Sequence, residues 1–304
     1  MSEKAKIVFL GTSASTPTKN RNLSSVGLKF GGEWLLFDVP EGTQRQMMNA
    51  KMSYLKINNI FISHFHADHF LGLGGLLATM NIHGRDWPIN IFGPKGIKKK
   101  VDETLKLAML IPGFEINCKE VKKGVIHKGE TYSVEAVLLK HEIECYGYVF
   151  KENDKAGEFN KAKAIKLGVP IGPLFSDLQK GKSVKVKGKT IKPSEVMDKH
   201  KARKGRKISI IYDTLPVKSY YKAIENSDIL IHESSFLDKL SDRAKETTHS
   251  TALQAGEVAK ETNAKKLILF HLSARHKENE LFENEARKKF GNVVVAKDLM
   301  EIEI

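Results

Sequence analysis

The segment Phe61-Ile62-Ser63-His64-Phe65-His66-Ala67-Asp68-His69 places three imidazoles and a carboxylate within six residues, directly after an apolar run. Imidazole nitrogen and carboxylate oxygen are ligands of zinc, and catalytic zinc sites leave one coordination position open for water or substrate. On a tight loop after a buried strand, His64 and His66 reach one ion together. Asp68 and His69 turn away at the start of the following helix and serve a second. Four side chains cannot close two sites, so further ligands must come from elsewhere. Three polar residues each terminate an apolar strand-like run: His141 after "VLLK", Asp213 after "ISIIY" and His271 after "LILF". Strand ends of a parallel or mixed sheet converge on one rim, where open α/β sheets place their sites. Together these residues read as a dinuclear centre, with Asp213 best suited to bridge because a carboxylate has two oxygens to share. His83, His127, His200 and His276 lie in no such pattern and read as surface or core histidines.

The elements that must position these groups are short. β-type runs fall at 6–10, 26–30, 34–39, 57–62, 89–92, 134–139, 147–150, 208–212, 229–232, 267–270 and 293–296. They alternate with helical stretches at 42–48, 71–83, 97–110, 250–262 and 278–289, and 219–227 reads as a further short helix. That alternation, with no repeat and no low-complexity tract, predicts an α/β body. Ser250 or a neighbour is placed to cap the helix that follows "TTHS".

The chain has 304 residues, 41% of them hydrophobic, which is ordinary for a folded enzyme-sized protein. Two widely spaced cysteines exclude a disulfide framework or a cysteine-built zinc ribbon. No leader-like segment opens the chain, and no run approaches the ~18 apolar residues of a membrane span. A cytoplasmic location is expected. The formal charge is +14, and the excess is concentrated: across 151–207, seventeen Lys and Arg accompany six acids. Gly168, Pro170, Gly172, Pro173, Gly181, Gly188 and Pro193 punctuate this stretch, so about 151–205 reads as an inserted, flexible basic arm that buries little. Such a concentration favours a polyanionic partner, nucleic acid first.

These features resemble the ribonuclease Z (tRNase Z) family, the tRNA 3′-processing endoribonucleases of the metallo-β-lactamase superfamily. The resemblance rests on the H-x-H-x-D-H loop, on the later His141, Asp213 and His271, and on the opening "IVFLGTSASTPTKNRNLSS". P-x-K-x-R-N at Pro17–Asn22, His249-Ser250-Thr251 and the Gly-Pro motif in "GVPIGPL" complete it, in order along almost the whole chain. Two positions depart: the usual H-E-A-T is His232-Glu233-Ser234-Ser235 here, and Pro40 stands where a glycine is usual. The resemblance implies a four-layer αββα sandwich over 1–304 with the arm inserted, and two zinc ions per subunit. His64, His66, His141 and Asp213 would hold one ion, and Asp68, His69, Asp213 and His271 the other. The implied substrate is precursor tRNA, cut to leave a 3′-hydroxyl on the tRNA and a 5′-phosphate on the trailer, with no nucleotide cofactor and with the chain acting as a homodimer. Asp68 is the family's proton acceptor, although a carboxylate bound to a cation is a weak base and orienting the nucleophile describes its role better. His249 is the general acid for the leaving 3′-oxygen, with Glu233 fixing its tautomer. Lys19 and Arg21, and in the arm Gly168, Pro170, Gly172 and Pro173, are the implied RNA contacts. Mn²⁺ or Fe also suits a His/Asp site.

Two other readings compete. A small-molecule phosphodiesterase or other hydrolase of the same fold would share the metal loop, but the basic arm and "PTKNRN" argue against it. An RNA-binding protein with a structural zinc is disfavoured because seven ligands leave open coordination, whereas a structural zinc is closed by four.

Overall fold

A computed structural model describes residues 5–155, 157–198, 202–276 and 278–304. His200 and Lys201 of the basic stretch lie outside the described residues. The chain divides into two compact units, one formed by residues up to 128, 134–150 and 207–304, the other by 129–133 and 151–206.

The larger unit is built on two seven-stranded sheets, counted among the described residues. The first runs in the order Glu301–Glu303, Lys6–Gly11, Ser25–Phe30, Glu33–Phe37, Ile57–Phe61, Ile89–Gly93 and Ile116–Glu120. The second runs Val293–Val295, Leu267–Phe270, Ile229–Glu233, Lys207–Ile211, Tyr146–Glu152, Tyr132–Leu138 and Gly124–Lys128. Glu33–Phe37 to Ile116–Glu120 are parallel, as are Lys207–Ile211 to Val293–Val295. The parallel strands Lys207–Ile211, Ile229–Glu233 and Leu267–Phe270 are mostly apolar because both of their faces are covered. Between the sheets, Phe37 stacks on Phe61 at 5.0 Å between ring centroids, and Tyr148 packs 5.4 Å from Phe61. Two buried tyrosines satisfy their hydroxyls on backbone carbonyls of the first sheet, Tyr212 on Phe37 at 2.9 Å and Tyr148 on Ile62 at 2.6 Å.

Helices Leu73–Ile82 and Ile97–Leu107 cover the outer face of the first sheet, burying Leu76, Leu77, Met80, Ile97 and Val101 against Leu36, Ile60 and Ile91. Ala252–Glu261 and Asn279–Arg287 cover the second. This is the expected αββα sandwich. Thr251, the neighbour of Ser250, caps the Ala252–Glu261 helix, its side chain accepting from Gln254 N while Gln254 reaches back to Thr251 N. The region 219–227 forms only the short helix Tyr221–Ile224 after a 3₁₀ turn. Two edge strands, Ile116–Glu120 and Gly124–Lys128, have no strong apolar signature in "INCKE" and "GVIHK"; lysines on such edges discourage pairing with other chains.

The smaller unit differs from the arm expected to bury little. Ala164, Val169, Phe175, Leu178, Val184, Ile191 and Val196 form their own hydrophobic cluster, with Phe159 packed 4.9 Å from Phe175. The helices Lys161–Lys166, Pro173–Gln179 and Pro193–Val196, the hairpin Val184–Val186/Lys189–Ile191 and the loop residue Val169 supply it. The hairpin turns on Lys187 and Gly188, both at positive φ, as a two-residue turn requires. The apolar residues are scattered thinly among lysines, so no run of the sequence announces them.

Candidate metal centre and active site

The histidine loop leaves the strand Ile57–Phe61 and enters the short helix Ala67–Phe70. Its position is set by contact with the chain after Glu33–Phe37: Val39 N donates to His69 O and Gly72 N to Val39 O, each at 2.9 Å. Gly72 is required there, because a Cβ would meet the Pro40 carbonyl oxygen at 1.9 Å. Proline at 40 keeps that carbonyl, so the departure from glycine leaves the contact intact. His141, Asp213 and His271 follow Tyr132–Leu138, Lys207–Ile211 and Leu267–Phe270, and His271 ends its strand with φ of 55°. Asp38 and Thr248, also at the site, have φ of 57° and 55°. Left-handed backbone at non-glycine residues persists where surrounding structure over-determines it.

Seven of the expected side chains come together here. His64, His66, His141 and Asp213 offer ligand atoms all within 4.8 Å of one another, and Asp68, His69 and His271 form a second such group. Asp213 lies between them, with Oδ2 at 3.7 Å from His64 Nε2 and 3.4 Å from His69 Nε2, and Oδ1 at 3.2 Å from His271 Nε2. Burial disfavours its charged form, but His271 and His69 outweigh this and hold its pKa well below the usual carboxylate range. Asp68 is likewise held low against burial by His271 and His69, and its Oδ2 also accepts Ser15 N at 2.8 Å.

The far nitrogens of these imidazoles are committed to oxygen. His69 Nδ1 donates to Asp38 Oδ2 at 2.7 Å, and Ser63 Oγ, itself donating to Asp38 Oδ2, lies 2.9 Å from His64 Nδ1. Across the site Ser235 Oγ donates to Glu233 Oε2 and lies 2.9 Å from His271 Nδ1. His141 Nδ1 is 2.8 Å from Thr248 Oγ1. Protons on these Nδ1 atoms leave bare Nε2 lone pairs turned inward. His66 instead turns Nδ1 inward, 3.0 Å from His64 Nε2 and 3.3 Å from His141 Nε2.

Three ring nitrogens converging at such distances cannot all satisfy one another by hydrogen bonds. Moreover, His69 Nε2, Asp213 Oδ1 and His271 Nε2 are buried without hydrogen-bond partners. Buried polar atoms are almost always paired, so these orphans mark where a cation belongs. The donor set of imidazole and carboxylate fits a divalent transition metal.

His249 stands beside this cluster, and its ring forms a third group with Asp213 and His271, their ligand atoms within 4.8 Å of one another. Its Nδ1 is bonded to Glu233 Oε1 at 3.0 Å, which commits that nitrogen and leaves Nε2 free on a side chain lining an open cavity. Burial lowers the pKa of His249, but the Glu233 carboxylate outweighs it and lifts the value to about 9. Glu233 is fully buried and also accepts from Thr214 N and Ser250 N. Serine at 235 retains the hydroxyl that links Glu233 to His271, so the H-E-S-S variant still closes the network.

Asp38, Ser63, Ser235 and Thr248 were not singled out by sequence reasoning. Asp38 carries the same signal as Asp213, a carboxylate terminating the apolar run "WLLF", and is detectable on that ground. Lys19 is exposed, whereas Arg21 is half-buried, bonded to the Asn279 side chain and the His276 carbonyl. In the smaller unit, Gly168 takes φ of 84° after helix Lys161–Lys166, and Pro173 opens Pro173–Gln179 with Gly172 as its cap, leaving Pro170, Gly172 and Pro173 exposed. His83 and His127 do not join the cluster: His83 bonds the Thr79 carbonyl and His127 packs on Phe92.

Known proteins share this construction. A family model described as "Anti-Pycsar protein Apyc1" matches residues 5–154, which include the histidine loop and His141 but not Asp213, His249 or His271. The metallo-β-lactamase fold protein YhfI of Bacillus subtilis superposes with a TM-score of 0.73 over all of both chains at 16% identity, a likeness of fold. The short form of human tRNase Z superposes with a TM-score of 0.71 at 28% identity, covering 98% of each chain. Ribonuclease Z of Methanosarcina acetivorans is 45% identical over 300 residues, 98% of each sequence. With that identity over 98% of each sequence, the chain belongs to the ribonuclease Z family of metallo-β-lactamase-fold hydrolases.

Proposed function

We propose that the protein is the endoribonuclease that removes the 3′ trailer from precursor tRNA, using two zinc ions per subunit. The observation that carries this reading is the group of seven convergent ligands, three of their buried atoms orphaned, directly beside the Glu233–His249 pair. His64, His66, His141 and Asp213 would hold one ion; Asp68, His69 and His271, with Asp213 shared, the other. When bound, such a pair of ions activates water and offsets the charge of a phosphodiester. In the reaction a water oxygen bonds to phosphorus as the P–O3′ bond breaks, giving a 5′-phosphate on the trailer and a 3′-hydroxyl on the tRNA. Asp68, held ionised, orients the attacking water, whose proton is released to solvent. His249, kept protonated by Glu233, gives its proton to the departing 3′-oxygen.

The exposed lysines of the smaller unit supply affinity without sequence information, as suits many different tRNAs. Lys19 and Arg21 of the larger unit are further RNA contacts in this reading. We infer also that the chain acts in the cytoplasm as a homodimer. The exposed Leu107, Met109 and Ile111, 87%, 93% and 90% accessible, support a contact with a second copy. No helix among the described residues is long and apolar enough to cross a membrane. The test is cleavage of a trailer-bearing precursor before and after chelation: activity should vanish with the chelator and return as two equivalents of Zn²⁺ are restored. Cleavage that survives complete metal removal would refute the reading.

A further inference from the structure

The loop that carries Lys19 and Arg21 leaves strand Lys6–Gly11 at Thr12 and returns through Asn22 to Ser25–Phe30. Its neck is closed twice. Thr12 N and Ser13 N donate to Asn22 O at 3.0 and 2.8 Å, and beside them the half-buried Asp298 carboxylate accepts from three side chains or amides. Thr12 Oγ1 donates to its Oδ1 at 2.8 Å, while Asn22 N at 2.6 Å and Gln46 Nε2 at 2.8 Å share Oδ2. Gln46 stands on helix Thr43–Asn49, and Leu299 N, donating to Phe9 O at 2.7 Å, fixes Asp298 against the first strand. Burial raises the Asp298 pKa, and these donors together with Arg21 act against that rise.

The two limbs of the loop are held differently. The first is tied to the metal centre: Ser13–Ala14 pairs with Leu272–Ser273, and Ser15 N donates to Asp68 Oδ2 at 2.8 Å. The second forms a turn in which Thr18 N donates to Arg21 O at 2.8 Å and Arg21 N donates to Thr18 Oγ1 at 2.9 Å. That turn exposes Lys19 and joins the neck at Asn22, the residue whose amide Asp298 accepts. We propose that Asp298 is a positioning residue for RNA, clasping the neck of this loop so that Lys19 and Arg21 meet the precursor already ordered. A loop fixed before binding spares the cost of ordering it on binding. The inference rests on the reading of Lys19 and Arg21 as contacts to precursor tRNA. Because the first limb has its own anchors, loss of the clasp falls on KM and not on kcat.

Kinetics of the zinc-loaded protein on a trailer-bearing precursor test this. Asp298→Ala removes all three contacts. Asp298→Asn removes the same charge but keeps them, its carbonyl oxygen standing in for Oδ2 and its amide donating to Thr12 Oγ1. Asp298→Ala should raise KM about fivefold, the scale of one net hydrogen bond, with kcat as before, and Asp298→Asn should restore the wild-type KM. The gap between the two replacements should close when Lys19 and Arg21 are both changed to alanine, the mark of a shared route. An Asp298→Asn variant as impaired as Asp298→Ala, a loss confined to kcat, or a gap that persists without Lys19 and Arg21 would overturn the proposal alone. If Asp298→Ala melts early or loses zinc, Thr12→Val and Thr12→Ser make the same comparison at Oδ1, where only serine keeps the hydroxyl. A protein that cuts the precursor with the same KM after Lys19→Ala and Arg21→Ala would overturn those RNA contacts and the clasp with them. A wild type that leaves the precursor uncut would overturn the functional reading as well.

Discussion

Asp38 and Glu233 each bond one histidine directly and reach a second through a serine hydroxyl, Asp38 serving His69 and, through Ser63, His64, while Glu233 serves His249 and, through Ser235, His271. The same device thus fixes tautomers on both sides of the cluster. Burial raises the Asp38 pKa, but its bonds to His69 and Ser63 oppose that, so the carboxylate is retained at a cost only its partners offset. Replacing Asp38 with Asn removes the charge that polarises His69, and metal affinity should fall about 10–100-fold, the usual effect of losing such an outer partner. Competition with a chromogenic chelator measures this; unchanged affinity would contradict the assignment. Glu233→Gln acts on His249 instead. Because the carboxylate raises the His249 pKa to about 9, its loss lets the imidazole shed its proton at lower pH. The alkaline limb of the kcat profile should therefore move to lower pH while KM for the precursor stays as it was; an unmoved limb would contradict the role of Glu233.

At the scale of elements, His141, Asp213 and His271 were legible as candidate ligands because each ends an apolar run, and strand ends are where an α/β sheet exposes its polar groups. The interior of the basic insertion was not legible. Val169, Phe175, Leu178, Val184 and Ile191 are scattered thinly through a stretch rich in Lys, Gly and Pro, with neither helical nor strand periodicity over a useful length. Every lysine from Lys161 to Lys192 is exposed, so the composition reports the surface of this unit and hides its core. Deleting about 154–201 should abolish precursor cleavage yet leave hydrolysis of a small chromogenic phosphodiester largely intact; equal loss of both would refute the division of labour. The base of this unit depends on Glu152, buried and bonded to Arg203 at 2.6 Å and Arg206 at 2.7 Å. Burial pushes its pKa up, but the two arginines outweigh that and bring it from 4.5 to about 2. A depressed carboxylate stabilises above its unfolded value and loses that contribution as pH falls through its folded one. Amide exchange in 151–206 should accelerate as pH drops from about 4.5 toward 2, after correction for intrinsic rates, and Glu152→Gln should flatten that dependence. An identical profile in the variant would remove Glu152 from the account.

For the whole molecule, the +14 charge and its concentration in 151–207 describe how a long polyanion is attracted. The convergent histidines and carboxylates describe what is then done to one of its phosphodiesters. An α/β body, a candidate dinuclear centre and a polyanionic partner were readable from residue types and spacing, and the αββα layering and the precursor-tRNA substrate from the family resemblance, whereas the outer hydrogen bonds of Ser63, Ser235 and Thr248 depend on three-dimensional proximity that a lone serine or threonine does not betray. The most direct test of the central claim is to cleave a 3′-trailer precursor tRNA with the zinc-loaded protein and identify the new ends. In-line attack by water predicts a single cut releasing a trailer with a 5′-phosphate and a tRNA with a free 3′-hydroxyl. A 2′,3′-cyclic phosphate on the tRNA, with a 5′-hydroxyl on the trailer, would show that the RNA's own 2′-oxygen is the nucleophile and would contradict it.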